Sequence, residues 1–192
     1  MSGWAAPTTA ERAATLPGDE LVAADVVMDR AFDLDAAPGQ VWPWLVQLGK
    51  HRAGWYLPAR IERLVPPGRR ALRHLEPRLL EHEVGDVIPD WGGADATFTL
   101  AAIDAPRTLL YTSTRGSTDL TWCLRLLPVG AGGTRVHLRL RMAPVRHRRL
   151  ATSLGGLVDA MTVVGLAASL GGLVDALTVA GLAAGLRERV GR

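Results

Sequence analysis

Between Val84 and Met142 turn residues cut the chain into short apolar runs, and this stretch restricts the fold more than any other. Val84–Pro89, Ala96–Ile103, Thr108–Thr114, Leu120–Leu127 and Arg135–Met142 read as five strands. Trp91-Gly92-Gly93, Asp104-Ala105-Pro106, Arg115-Gly116-Ser117 and Gly130-Ala131-Gly132-Gly133 separate them. Connections this short leave no room for a crossover, so consecutive strands are expected to pair antiparallel as a meander. The last run alternates sharply: Val136, Leu138, Leu140 and Met142 share one face, and Arg135, His137, Arg139 and Arg141 share the other. Such a strand buries one side only, which sends the arginines to solvent. The alternative is a single arginine, Arg139, reaching inward to a ligand carboxylate that its fork suits.

A one-sided sheet needs a cover, and the flanking segments supply candidates. Val26–Leu34 alternates around Met28, Phe32 and Leu34 and reads as a first strand. Pro38 then opens a helix whose apolar face carries Val41, Trp42, Leu45, Val46 and Leu48, with Gly49 as its stop. Pro43 inside this helix lacks an N–H, so a kink is expected there. A second short helix is expected over Pro58–Leu64, ended by Pro66-Pro67-Gly68, and residues 68–83 read as a loop with one helical turn. Residues 1–20 are rich in Ala, Thr and Pro without a period and read as a loose N-terminal arm, while 21–190 form one domain.

The C-terminal part is a duplicated repeat of 16 residues over 153–184. Ser153–Ala168 and Ser169–Ala184 differ at Met161/Leu177 and Val164/Ala180. On one straight helix a 16-residue step rotates the second copy by roughly 160°, turning the two apolar faces nearly opposite ways. That helix would also be about 60 Å long from Arg149 to Arg189. Paired glycines at Gly171-Gly172 favour a break, hence two helices, 152–168 and 172–188, the second gripping the sheet.

Several ordered motifs resemble bacterial proteins of the START-like SRPBCC superfamily, which holds polyketide cyclases, dehydrases and lipid-transport proteins. They are Leu16-Pro17-Gly18-Asp19-Glu20-Leu21-Val22, then Ala37-Pro38 with Val41-Trp42-Pro43-Trp44-Leu45-Val46-Gln47-Leu48-Gly49. Arg52-Ala53-Gly54-Trp55-Tyr56 with Glu62-Arg63-Leu64, Val84-Gly85-Asp86, Thr121-Trp122, and Thr134-Arg135 with Arg139 and Arg141 follow. The resemblance implies an α+β helix-grip fold: a curved antiparallel sheet wrapped around a C-terminal helix, with two short helices after the first strand. It further implies a cavity between sheet and helix that holds a small hydrophobic ligand, a lipid, a polyketide or similar. It carries no catalytic motif onto this chain.

The candidate ligand-binding residues are Trp55, Tyr56, Glu62, Trp91, Tyr111, Trp122 and Arg139, with core packing or a salt bridge as the plainer role of each. Using the same cavity, a cyclase or dehydratase would need a buried acid or base, for which Glu62 and Asp86 are the carboxylates at hand. A further alternative is membrane or homodimer contact through the repeat, where Gly181 and Gly185 form a GxxxG pattern; Asp159 and Asp175 interrupt its apolar stretch.

Composition narrows the classes. The formal charge is +3, but of 22 basic residues Lys50 alone is lysine, and the Arg, Ala, Gly and Leu bias fits GC-rich coding of the actinobacterial kind. No basic run is long enough to make a nucleic-acid footprint. Cys123 is the single cysteine, so neither an intrachain disulfide nor a thiolate metal cluster can form, and a cytoplasmic setting is expected. No basic start leads into an apolar run, so no secretory leader is expected. His82-Glu83 fails the HExxH pattern at its second histidine, where Asp86 stands, and no Walker loop or dinucleotide fingerprint is present, so neither metal nor cofactor is expected.

Overall fold

The computed structural model describes residues 6–91, 95–144 and 171–190. Its strands fall where the alternation places them, except that the run expected over Val84–Pro89 is strand only from Val87. They are β1 (Val26–Leu34), β2 (Val87–Pro89), β3 (Thr97–Asp104), β4 (Thr108–Arg115), β5 (Thr118–Val129) and β6 (Gly133–Ala143). They form one antiparallel sheet in the order β1-β6-β5-β4-β3-β2. The meander accounts for five neighbours; β1 closes the set by pairing with β6 from Val26 opposite Met142 to Leu34 opposite Thr134.

Register dictates which side chains share a face. Leu100, Tyr111, Trp122, Leu140 and Met28 lie opposite one another from β3 across to β1 and form one inward row. The next row is Leu109, Leu124, Leu138 and Arg30. A slip between Leu100 and Ala102 turns β3 locally, so that Ala102 meets Leu110 on the outer side.

Two helices follow β1, α2 (Pro38–Val46) and α3 (Ala59–Glu62); a shorter one, α1 (Thr9–Ala13), precedes it. Pro38 starts α2, Val41, Trp44, Leu45 and Val46 are its buried side, and Pro43 lies inside it. The loop after α3 contains two short 3-10 turns, Pro67–Arg69 and Pro77–Leu79. The last helix, α4 (Gly171–Val190), lies against β1 and α2 and puts Val179, Leu182, Ala183 and Leu186 into the core formed by the inward rows. This sheet closed on a C-terminal helix is the helix-grip fold. The helix expected over 172–188 is α4; the first repeat copy and the residues before Gly171 lie outside the described residues.

The GxxxG pair has an intramolecular use. A Cβ on Gly185 would lie 2.6 Å from the Tyr56 carbonyl carbon and 2.7 Å from the Leu57 nitrogen; one on Gly181 would lie 2.8 Å from Leu57 Cδ2. The two glycines let α4 touch the Tyr56-Leu57 backbone, so this pattern is a close approach within one chain. Among the described residues no helix is long and apolar enough to cross a membrane.

The outer face is covered too. The segment expected as a loose arm carries α1, closed by a capping box between Thr8 and Glu11. Beyond α1, Leu16 packs on Leu110 and Cys123 of the outer face. The arginines of β6 hold this strap. Arg139, 3% exposed, donates to the carbonyls of Glu11, Arg12 and Ala14 and to Asp19 and Asp29. Arg135 forks onto Glu11, and Arg141 reaches the Val22 carbonyl. The expectation that these arginines face water is therefore corrected: they face outward into the strap. Arg139 as a ligand contact is corrected with it, since the whole sheet separates it from the inner face.

Candidate functional site

Four of the sequence-nominated aromatics meet on the inner face. Trp122 lies between Tyr111, with ring centroids 5.8 Å apart, and Phe98, at 5.6 Å. Trp55 arrives from the loop after α2 and lies nearly parallel to Trp122, centroids 6.5 Å apart and planes inclined by 22°. Trp91 stands edge-on to Trp55 at 5.8 Å. The Trp55 indole Nε1 donates to the Thr178 carbonyl of α4 at 3.3 Å. Trp55 thus ties the loop, the helix and the sheet together.

Beside this group a cleft is lined by Met28, Arg30, Trp55, Trp122, Leu138, Leu140 and Val179. It encloses about 20 Å³, room for about one water molecule. The open cavity expected from the sequence is therefore closed down in this conformation. Arg30 is the charged side chain of the lining; its register opposite Leu138 puts it on the inward row, and its Nη1 donates to the Asp29 carbonyl.

The remaining nominated residues serve other ends. Tyr56 is fully buried; its hydroxyl donates to the Trp44 carbonyl at 2.9 Å and accepts from Gln47 Nε2 at 3.0 Å. Burial pushes its phenol well above the usual value. The Arg189 guanidinium lies over its ring, 4.6 Å from the centroid. Glu62 turns inward from α3 and accepts from Arg189 at 2.5 Å and Arg73 at 2.7 Å. Arg73 also bonds Glu188, whose carboxylate accepts from the Ala59 N–H. Burial lowers the Arg189 pKa, and its bond to the Glu62 carboxylate opposes that. This network fastens the end of α4 to α3 and the following loop. Tyr56 and Glu62 are therefore framework residues behind the cleft.

A polar chain that sequence reasoning missed runs beneath Tyr111. Asp86 accepts from His82 Nδ1 at 2.8 Å, which leaves Nε2, 3.2 Å from the Tyr111 hydroxyl, to accept its proton. The His82 side chain is fully buried, and burial lowers its pKa against the opposing bond to Asp86, favouring the neutral ring. The failed HExxH pattern held the signal: an i, i+4 pair of histidine and carboxylate can join without a metal. Among the described residues no group of three metal-ligating side chains comes together.

An antiparallel sheet gripping one helix, with an aromatic-walled cleft between them, places the chain in the helix-grip class. No family model and no curated protein matches the sequence. Among solved structures it is similar to CalU16 from Micromonospora echinospora, at TM-score 0.43 and 18% identity over 83% of this chain and 87% of that one. The HSP90 activator PFC0360w from Plasmodium falciparum gives TM-score 0.44 and 12% identity over 73% and 97%. The Aha1 dimer from Colwellia psychrerythraea gives 0.43 and 13% over 76% and 96%. The helix-grip assignment rests on sheet order and on α4, and these likenesses add nothing about ligand or activity.

Proposed function

We infer that the chain is a member of the SRPBCC superfamily that binds a small apolar ligand between the inner face of the sheet and α4. The observation that supports this reading best is the cleft itself: six apolar side chains and one arginine at the junction of sheet, loop and helix, walled by two indoles. At about 20 Å³ the cleft holds no organic ligand as it stands, so binding must part Trp55 and α4 from the sheet. Trp55 donates to the Thr178 carbonyl of α4, so loop and helix are joined, and their opening uncovers core side chains that the ligand must cover in turn.

A cyclase or dehydratase reading has less behind it. Glu62 is held by two arginines, the Tyr56 hydroxyl is satisfied on both sides, and the lining of the cleft contains no carboxylate. A cytoplasmic setting accords with the lone buried cysteine.

The test is binding of an environment-sensitive apolar dye, with native mass spectrometry of the purified chain. One dye per chain, displaced by apolar competitors and abolished by Leu140→Arg in a variant that still folds, is the expected result. A native mass equal to that of the bare chain, together with no dye binding at any concentration below the dye's own aggregation, rejects the reading.

A further inference from the structure

Residues 60–70 concentrate the charge of this chain. They hold Arg60, Arg63, Arg69 and Arg70 against one carboxylate, Glu62, a net +3 that equals the formal charge of all 192 residues. Of 22 basic and 19 acidic residues the segment has four and one, so 18 of each lie outside it and balance. Glu62 is buried with Arg189 and Arg73, whereas the four arginines of the segment are exposed. Among the described residues no carboxylate pairs with Arg60, Arg63 or Arg69.

Two large apolar side chains stand among these cations. Leu64 is 85% exposed, more than any other large apolar residue among those described, and Ile61, three residues earlier, is 37% exposed. The turn that presents Leu64 is built, not slack. The N–H groups of Leu64 and Val65 donate to the Ile61 and Glu62 carbonyls at 2.9 and 3.0 Å, and Val65 is buried. Arg70 Nε donates to the Val65 carbonyl at 2.8 Å and its Nη2 to the Arg63 carbonyl at 3.2 Å, closing the loop across Pro66-Pro67-Gly68. With Glu62 and Val65 fixed inward, Arg63 and Leu64 between them are held out, which lowers the ordering cost of binding through them.

An apolar side chain among unpaired cations suits a surface that offers negative charge and hydrocarbon together. A stable protein interface uses about 20–30 residues a side, more than this segment has. A bilayer demands no such area, because it presents anionic headgroups across its face and accepts single side chains at the acyl boundary. We propose that residues 60–70 dock the chain on anionic lipid surfaces, with Arg60, Arg63 and Arg69 at the headgroups and Leu64 entering the acyl boundary. None of these residues lines the cleft, and docking here does not depend on the apolar-ligand reading.

The experiment is co-sedimentation of the full chain with vesicles of phosphatidylcholine alone and of phosphatidylcholine with about 30% phosphatidylglycerol. Wild type is expected on the anionic vesicles and not on the neutral ones at about 50 mM salt, and its partition should fall at least about tenfold at about 500 mM. The double substitution Arg60→Gln, Arg69→Gln should lower the partition about thirtyfold, and Leu64→Ser about tenfold. All three positions are on the surface, so both variants should keep the native thermal transition. No partition on anionic vesicles at low salt overturns the proposal, as does partition that both variants leave unchanged. Loss with the arginine variant but not with Leu64→Ser overturns lipid entry and leaves adhesion by charge alone. A complex with poly-glutamate in place of vesicle binding assigns the patch to an acidic protein and overturns the lipid surface equally. Each of these failures leaves binding of apolar dye in the cleft to stand or fall by its own test.

Discussion

Gly185 shows how one missing side chain sets the position of a helix. A methyl group there would meet backbone atoms of Tyr56 and Leu57 at 2.6–2.7 Å, and backbone does not step aside. Gly185→Ala should cost about 1–3 kcal/mol in urea denaturation, as overpacking does. Gly181→Ala meets the mobile end of the Leu57 side chain, and its gain of about 1 kcal/mol in helix propensity offsets much of the strain. Equal effects of the two substitutions would refute this contrast. Glu62 supplies the opposite case, a buried charge whose partner is left stranded when it goes. Arg189 is fully buried beside it, so Glu62→Gln should destabilise the fold by about 3–5 kcal/mol, read from the same denaturation curves. At this scale the sequence was half legible. Tyr111 and Trp122 share the inner face because strand parity puts them there, and parity is a local property. Arg189, which meets Tyr56 and Glu62, and Asp19, which meets Arg139, lie more than a hundred residues from them, and no spacing rule encodes such pairs.

The strap from α1 to Val22 is the element whose role was least visible in advance, because its composition is that of a loose arm and its order comes from what it lies on. Alternation in β6 showed that four polar side chains share a face, without showing what covers them. The meander, by contrast, was readable to within a few residues, since turn chemistry and period-two burial are both local. The strap's attachment is charged, which makes it sensitive to acid. The bond from Arg135 is the main cause that holds Glu11 down from its ordinary 4.5 to about 2. Burial alone would raise Asp29, but the bonds from His137 and Arg139 outweigh it and keep it below its usual value. Both carboxylates have depressed pKa values in the folded state, so their contribution is complete above the unfolded values and is lost as pH falls through the folded ones. Stability should therefore decline from about pH 5 towards about pH 2, and Glu11→Gln should flatten that decline in urea midpoints measured along the pH series. A decline of undiminished slope in this variant would contradict the assignment. Releasing the strap should also uncover Cys123, which is 2% exposed and whose thiol burial pushes up to about 12. Leu16→Asp, placed over it, should accelerate labelling by a thiol reagent at pH 8 by at least about tenfold, if exposure then controls reactivity.

Over the whole molecule the ends of the chain complete what the middle begins. The meander from β2 to β6 is built from neighbours in sequence, but β1 pairs with β6 across more than a hundred residues, and α4 covers the inner rows last. α4 packs on β1 and α2 within one core and meets Leu57. The sheet in turn exposes Leu109, Leu124, Leu126, Val136 and Leu138 if α2 and α4 leave, a surface too apolar to remain in water on its own. Cooperativity follows from this mutual cover: the core cluster includes residues of α2, β1, β3, β4, β5, β6 and α4 together, so no part of it can be opened without exposing the rest. Tryptophan emission reports on Trp55, Trp91 and Trp122 together with Trp42 and Trp44 of α2, and far-ultraviolet circular dichroism at 222 nm on the helices, of which α4 is the longest among the described residues. If the sheet and α4 form one unit, the two signals should trace a single urea transition with the same midpoint and slope. A chain truncated before Gly171 should show no cooperative transition at all. Should the helical signal of the full chain instead vanish at lower urea than the tryptophan signal, α4 would be a separately released element and the mutual-cover account would fail. An apolar ligand bound in the cleft touches Trp55, Trp122 and Val179 at once, on loop, sheet and helix. Saturating ligand should therefore move both signals to higher urea together, by an amount set by its concentration relative to its Kd.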